Sequence, residues 1–529
     1  MTGSGDSIER ASLSAARAED VAIVAKGGAT QIVGQITQRS VQFFFTVAAA
    51  NILGPAGLGL YRQVAQILTI SSQLGLAGYN YSAMRFIARA RALGEWGGVR
   101  GAARTALGAS GVASLVVAGG LVVAAEPLGR QFADRPDDVE ELRNLIRLGA
   151  AYVPCFALMQ VLRYCTQAYK TMVPSVMVGN VIQPLIRIAF GVGLLLAGFG
   201  VAGAVGTLTL SMAIGALVGA WYFARMITPE ERAATPLVQL GAMTRFALPQ
   251  GGASLLGIQS LGLGIIVLGL LSTNRAVGLF SIALALQGPG GVFLSGIVNI
   301  WAPVVADLYE RGEIARLDAL YKTVTRWIVT FAFPVYAALI LEPDVFVVFF
   351  GSRAEEAAPI VAIVAVGNIF YSGTGPTGYV ISMSGRPGIN FINSVVAVVV
   401  YVGLGAWAVP RYGLVGMAWV DVGVTALVNS VRVIQAKVLV GVQPFGRSFL
   451  KPLGATLAGS AVLLAWRLIP GGSWGLDVAG IAVAAVVYLA VLRALGIDPE
   501  ERYVWERIKT RARQARRSRR ARRDEKAQQ

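Results

Sequence analysis

Residues 27–78 read GGATQIVGQITQRSVQFFFTVAAANILGPAGLGLYRQVAQILTISSQLGLAG. Two apolar runs start near residues 27 and 58, joined through Leu53-Gly54-Pro55-Ala56-Gly57. A helix of about 20 apolar residues crosses the roughly 30 Å hydrocarbon core of a bilayer, so each run predicts one membrane span. The rest of the chain agrees. Of 529 residues, 55% are hydrophobic and 14% charged, with mean hydropathy +0.62, whereas a soluble chain carries about 25% charged residues. This excludes a soluble globular protein. The 63 glycines suit helices that approach closely within a membrane.

The same scan gives fourteen candidate spans, starting near 27, 58, 105, 148, 175, 203, 246, 277, 327, 358, 389, 413, 452 and 478. The formal charge of +17 then has to be placed. With both termini in the cytoplasm, cytoplasmic segments hold 35 of the 46 Lys and Arg, 13 of them in the tail from Arg493, and outside loops hold 8. Three lie inside spans: Arg39, Arg62 and Arg187. That asymmetry is what the positive-inside rule requires. The excess is therefore an address and not a nucleic-acid footprint. Residues 511–523 contain eight Arg, and such a run beside a last helix is expected to sit on anionic lipid headgroups. The polar first 25 residues lack the apolar core of a signal peptide.

Cys155 and Cys165 lie ten residues apart in one apolar segment, about 15 Å along a helix, too far for a mutual disulfide. His is absent. Metal binding and a His relay are not expected, nor is any cofactor.

An internal repeat organises the spans. Gly59-Leu60-Tyr61 recurs as Gly278-Leu279-Phe280, an offset of 219, and Gly94-Glu95 recurs as Gly312-Glu313, an offset of 218. Gly27-Gly28-Ala29 also matches Gly251-Gly252-Ala253. Six spans separate the copies, so both enter the membrane in the same sense. The expected fold is an all-α polytopic membrane protein of about fourteen helices. An N-lobe over 27–226 and a C-lobe over 227–440 are related by a pseudo-two-fold axis, with two extra helices over 441–497. A cytoplasmic segment 1–26 and a basic tail 498–529 flank them. Parallel repeats of this kind suit a transporter with its substrate between the lobes.

Gly27-Gly28-Ala29, Leu53-Gly54-Pro55-Ala56-Gly57-Leu58-Gly59-Leu60-Tyr61, Arg85-Phe86-Ile87-Ala88 with Gly94-Glu95, and Pro410-Arg411-Tyr412-Gly413-Leu414-Val415-Gly416-Met417-Ala418 together resemble polysaccharide-export flippases. These are the O-antigen and capsule type members of the multidrug, oligosaccharidyl-lipid and polysaccharide exporter superfamily. The resemblance covers roughly residues 26–440, and spans 13 and 14 fit its fourteen-helix members. It implies a flippase of a bacterial cytoplasmic membrane that moves polyprenyl-diphosphate-linked oligosaccharide to the outer leaflet by alternating access. It also implies polysaccharide-assembly enzymes as protein partners. The basic tail is not a family hallmark.

Charge inside the membrane is costly and marks function. In span 1, Gln31, Gln35, Gln38, Gln42 and Thr46 form one helical stripe with Arg39 at its edge. Span 2 carries Arg62, Gln66, Thr69 and Gln73; span 4 carries Gln160, Arg163, Gln167 and Lys170; span 5 carries Asn180, Gln183 and Arg187. Arg39 and Arg187 each lie twelve residues past the start of their span, about 18 Å deep. Two guanidiniums at one depth suit a diphosphate. The expectation is that Arg39 and Arg187 hold it midway, that Arg163 and Lys170 attract it at the cytoplasmic mouth, and that Arg62 meets it near the outer one. The competing reading pairs each Arg with neighbouring helices to fix packing.

Asp421 is the lone acid inside a span and heads the stripe Asp421, Thr425, Asn429, Arg432. It could take up a proton or sodium ion and couple transport to a gradient, or pair with an Arg across the lobes as a gate. Asn368, Asn390 and Asn393 read as sugar contacts or interhelical hydrogen bonds. Gly288-Pro289-Gly290-Gly291 predicts a break and hinge within span 8, and Gly373, Gly375, Pro376 and Gly378 a break in span 10. Gly215 and Gly219 read as close packing.

A membrane glycosyltransferase or polymerase would need a reactive constellation in a sizeable loop, and the acids at 137–141 read instead as a solvated helix start. A cationic-drug exporter would need acidic cavity residues, whereas the spans hold three Arg and one Asp. A lipid II flippase also carries a diphosphate lipid and stays open as an alternative.

Overall fold

The computed structural model describes residues 3–256, 262–469 and 473–496. The basic tail and its expected lipid contact lie outside them. Among the described residues, ten helices are long and apolar enough to cross a membrane. Their apolar side chains face outward as well as inward: Val123 is 80% exposed, Val438 75% and Leu217 71%. In water such surfaces would aggregate; against lipid they are the expected periphery.

Two of the ten are far longer than a bilayer is thick. Thr30–Leu93 has 64 residues and Pro387–Val440 has 54, about 96 and 81 Å if straight. They are not straight. Gly54 has φ 71° and ψ 174° inside the first, a conformation open to Gly, and Pro55 follows as a helix start. Arg62 Nη2 donates to Thr46 Oγ1 at 2.6 Å, and the Phe45 and Tyr61 rings lie 5.7 Å apart. Sixteen residues of straight helix would separate these partners by about 24 Å, so the chain folds back at Gly54. Gly413, at φ 56°, does the same for the second. There Tyr401 donates to Asp421 at 3.0 Å, and Asn393 and Gln435 exchange hydrogen bonds of 2.6 and 3.1 Å.

The predicted breaks are present. Span 8 is built from Asn274–Leu286 and Gly288–Glu310. Span 10 is interrupted between Ala358–Gly373 and Thr377–Met383, with Gly375 at φ 63°. Two features go beyond the sequence reading. The charged segment that follows span 2 is helical over Tyr79–Leu93 and again from Trp96, the start of a 37-residue helix. Charged residues end an apolar run but need not end a helix, because Arg and Glu are good helix formers. Span 5 contains a π-helical turn, Met177–Ile182, which no local residue pattern announces.

The repeated glycines meet in space. A Cβ on Gly59 would overlap the Asn274 carbonyl, and a Cβ on Gly278 would overlap the Pro55 carbonyl. Pro55 and Asn274 are themselves 219 residues apart, so the contact is reciprocal, as across a two-fold axis. Only Gly allows this backbone approach. Gly251 packs in the same way against Ala77 and Gly78.

The linker after Gly200–Met226 is pinned to the N-terminal half. Glu231, fully buried, pairs with Arg91 Nε at 2.9 Å and accepts from the Tyr169 hydroxyl at 2.7 Å. Leu237 N–H donates to Gly97 O at 3.0 Å. By contact, residues 227–237 thus belong with the N-terminal half. At the other end of the bundle the halves touch again. Asn51 Nδ2 donates to Phe349 O at 2.8 Å, and the Asp134 carboxylate accepts the Asn274 N–H at 2.9 Å. Nearby, Arg275 grips Glu356 with two nitrogens and holds that carboxyl below the usual carboxylate range. The last two helices, Leu450–Trp466 and Trp474–Ala494, attach at the edge, where Tyr488 donates to Thr330 O at 2.6 Å.

Candidate substrate site

A cavity of about 470 Å³ lies between the halves, with Arg39, Gln42, Phe43, Thr46 and Arg62 on one wall. Ile265, Ser281, Leu284, Ala285 and Gly288 form the other. No acid is among these lining residues. The fold-back at Gly54 places Arg62 opposite Thr46, which is how two spans bring Arg39 and Arg62 to one space. Arg62 satisfies Thr46 with one nitrogen, while its buried Nε has no acceptor among the described residues. A guanidinium offers five donors and keeps its charge. A buried one with idle donors calls for an anion or ordered water.

Arg187 stands on the same rung of the hairpin but behind it. It donates to the Tyr61 hydroxyl, its guanidinium lies 5.0 Å from the Phe45 ring centre, and its buried Nε also has no acceptor among the described residues. It does not line the cavity. The structure therefore brings Arg39 together with Arg62, and not with Arg187. Equal depth was legible from residue counts, but direction was not: the π-turn just before Gln183 rotates the following residues about the helix axis.

Arg163 is occupied by packing. Its three nitrogens reach Ser175 O, Gln160 Oε1 and Asn180 Oδ1 at 3.1, 2.8 and 3.3 Å. A Cβ on Gly179 would overlap its guanidinium, so the π-turn is wrapped around this side chain. Of the polar stripe, Gln42 lines the cavity, and Gln31, Gln35, Gln38 and Gln66 are half-buried. Gln38 accepts from Asn180 at 2.7 Å. Gln183 is buried against Ser211 at 3.0 Å, inside the N-terminal half.

The break in span 8 adjoins the site. Gly288 lines the cavity, a Cβ on Gly290 would overlap the Tyr336 ring, and one on Gly291 would lie 3.4 Å from Arg39 Nη1. Asp421 sits apart, in a second cavity of about 240 Å³. Its partner is Tyr401, on the other arm of its own hairpin, and not an Arg across the lobes. Arg326 and Arg432, which the sequence reading does not count among the charges inside spans, are buried, 4% and 9% exposed. Arg432 could have been suspected, since it closes the stripe begun by Asp421. Cys155 and Cys165 are both free.

Comparison with known proteins now adds to this geometry. No curated protein sequence matches the chain. Among solved structures, it is similar to the lipid II flippase MurJ in an inward closed conformation. The TM-score is 0.68 at 12% identity, covering 87% of this chain and 97% of that one. It is also similar to an inward-facing multidrug resistance MATE family transporter of the MOP superfamily, with TM-score 0.62, 17% identity, and 77% and 94% covered. A third is a MOP superfamily transporter from Pyrococcus furiosus with a binding pocket of reverse polarity, with TM-score 0.55, 18% identity, and 79% and 96% covered. These likenesses give the fold. Residues 24–309 match the family profile described as polysaccharide biosynthesis protein, more than half of the chain. The chain is thus a multi-pass membrane protein of the polysaccharide biosynthesis protein family, built on the fold of MOP superfamily transporters.

Proposed function

We propose that the protein flips polyprenyl-diphosphate-linked oligosaccharide from the cytoplasmic to the outer leaflet by alternating access. The observation that carries this reading is the acid-free cavity where Arg39 and Arg62 face the other half of the molecule. Its polarity suits an anionic head and disfavours a cationic drug. The family adds that the cargo belongs to polysaccharide assembly.

On this reading the chain crosses the membrane fourteen times. The two hairpins count as two passes each, and spans 7 and 8 are made of shorter helices. The reciprocal Gly59 and Gly278 contact supports two six-helix lobes about a pseudo-two-fold axis. The contacts of Asn51, Asp134 and Phe349 then lie at the outer end and close it, leaving the cationic cavity to load from the cytoplasm. Arg187, stacked behind Arg62, adds positive potential, and Arg163 keeps the π-turn in place. The glycines at 288–291 let span 8 bend beside the bound head.

Lipid II has the same diphosphate and is the reading to separate. Depletion of the protein in its host distinguishes them: an oligosaccharide-bearing polyprenyl diphosphate accumulates if the proposal holds, whereas accumulation of lipid II alone contradicts it.

A further inference from the structure

We infer that the cavity around Asp421 is a glycan subsite, which seats the sugar next to the diphosphate; the inference rests on the reading above. Leu284 lines both cavities, so the two spaces adjoin the same side chain. A diphosphate held by Arg39 and Arg62 therefore leaves the next part of its ligand beside this second space. The chemistry of that space differs in kind. Asp421, Tyr401, Thr425 and Ser394 supply its polar groups, while Phe280 and Val424 are among its apolar walls.

An ionised carboxylate accepts hydrogen bonds and donates none, so it repels a phosphate and matches the hydroxyl donors of a neutral sugar. The Tyr401 hydroxyl holds Asp421 Oδ1 at 3.0 Å, which fixes the carboxylate in the wall. Arg432 Nη2 lies 3.4 Å from Ser394 Oγ and anchors the rim. Few polar groups on an apolar surface is the composition of a small-ligand pocket, and about 240 Å³ is below the roughly 300–1,000 Å³ typical of drug-sized ligands. It suits one sugar ring and not a chain.

The test uses full-length protein in lipid nanodiscs and two probes: bare polyprenyl diphosphate, and the same lipid carrying one hexose. Wild type is expected to bind the glycosylated lipid about tenfold tighter, the scale of a hydrogen bond to a charged group. Asp421→Asn should lose that preference and keep its affinity for the bare lipid. Ala397→Leu, which fills the cavity without touching Asp421 chemistry, should do the same. Arg39→Ala should weaken both lipids alike. Retained preference in both cavity variants, or equal weakening of both lipids, overturns the subsite. So does retained preference with a loss of sodium or pH dependence in Asp421→Asn, which would make the cavity a cation site. Failure of wild type to bind the bare lipid contradicts the diphosphate reading itself, whereas Arg39-dependent binding with no sugar preference contradicts the subsite alone.

Discussion

Arg39, Arg62, Arg163 and Arg187 carry the same charge and do different things. Arg163 has three protein acceptors within 3.3 Å, whereas Arg62 keeps a buried Nε idle. Substitution separates the roles. Arg39→Ala and Arg62→Ala are each expected to weaken binding of polyprenyl diphosphate about 10- to 100-fold, from loss of charge-assisted hydrogen bonds of about 1.5–3 kcal/mol. Arg163→Ala is expected to leave that affinity nearly unchanged and to destabilise the fold by about 1–3 kcal/mol, because it strands the buried Asn180. Titration in nanodiscs reads the first effect and unfolding in detergent the second. Arg39→Lys should fall between wild type and Ala, since an ammonium lacks the planar fork. Which Arg does which is not a local property. Their presence in apolar spans was legible, but Arg187 is turned from the cavity by a π-turn, and the Tyr401 partner of Asp421 depends on a fold-back that pairs residues twenty apart.

Glycine acts at the scale of elements. Gly59 and Gly278 let two half-molecules touch backbone to backbone, while Gly108 faces open space. Gly59→Val should therefore abolish assembly of a monodisperse protein, and Gly108→Ala should be silent; size-exclusion elution after equal expression distinguishes them. The long apolar helices and the breaks in spans 8 and 10 were legible because hydropathy, Pro and Gly act on neighbouring residues. The ends of helices were less so. Residues 79–93 carry charge yet form helix, since charge ends an apolar run and not the backbone hydrogen bonding of a helix. The buried Arg326 and Arg432 were missed for the same reason: a cation near the edge of an apolar run reads as a loop charge until its neighbours are known.

At the scale of the molecule, the proposed alternating access makes the contacts at Asn51 and the cationic cavity one state of a cycle. The contact of Asn51 with the Phe349 carbonyl spans the two halves and, on that reading, must part for release to the outside. A cysteine pair at Asn51 and Phe349, joined by a short bismaleimide, should stop transport, and either single cysteine with the same reagent should not. Transport unaffected by the cross-link would mean that this end never opens. The central claim is that the protein moves a diphosphate-linked glycan lipid across the bilayer, and reconstitution tests it most directly. In proteoliposomes loaded with a fluorescent polyprenyl-diphosphate oligosaccharide, wild type should expose the lipid to an external lectin, and the Arg39→Ala, Arg62→Ala double variant should do so at the protein-free rate. Equal exposure by wild type and the double variant, both inserted at equal levels, would contradict it.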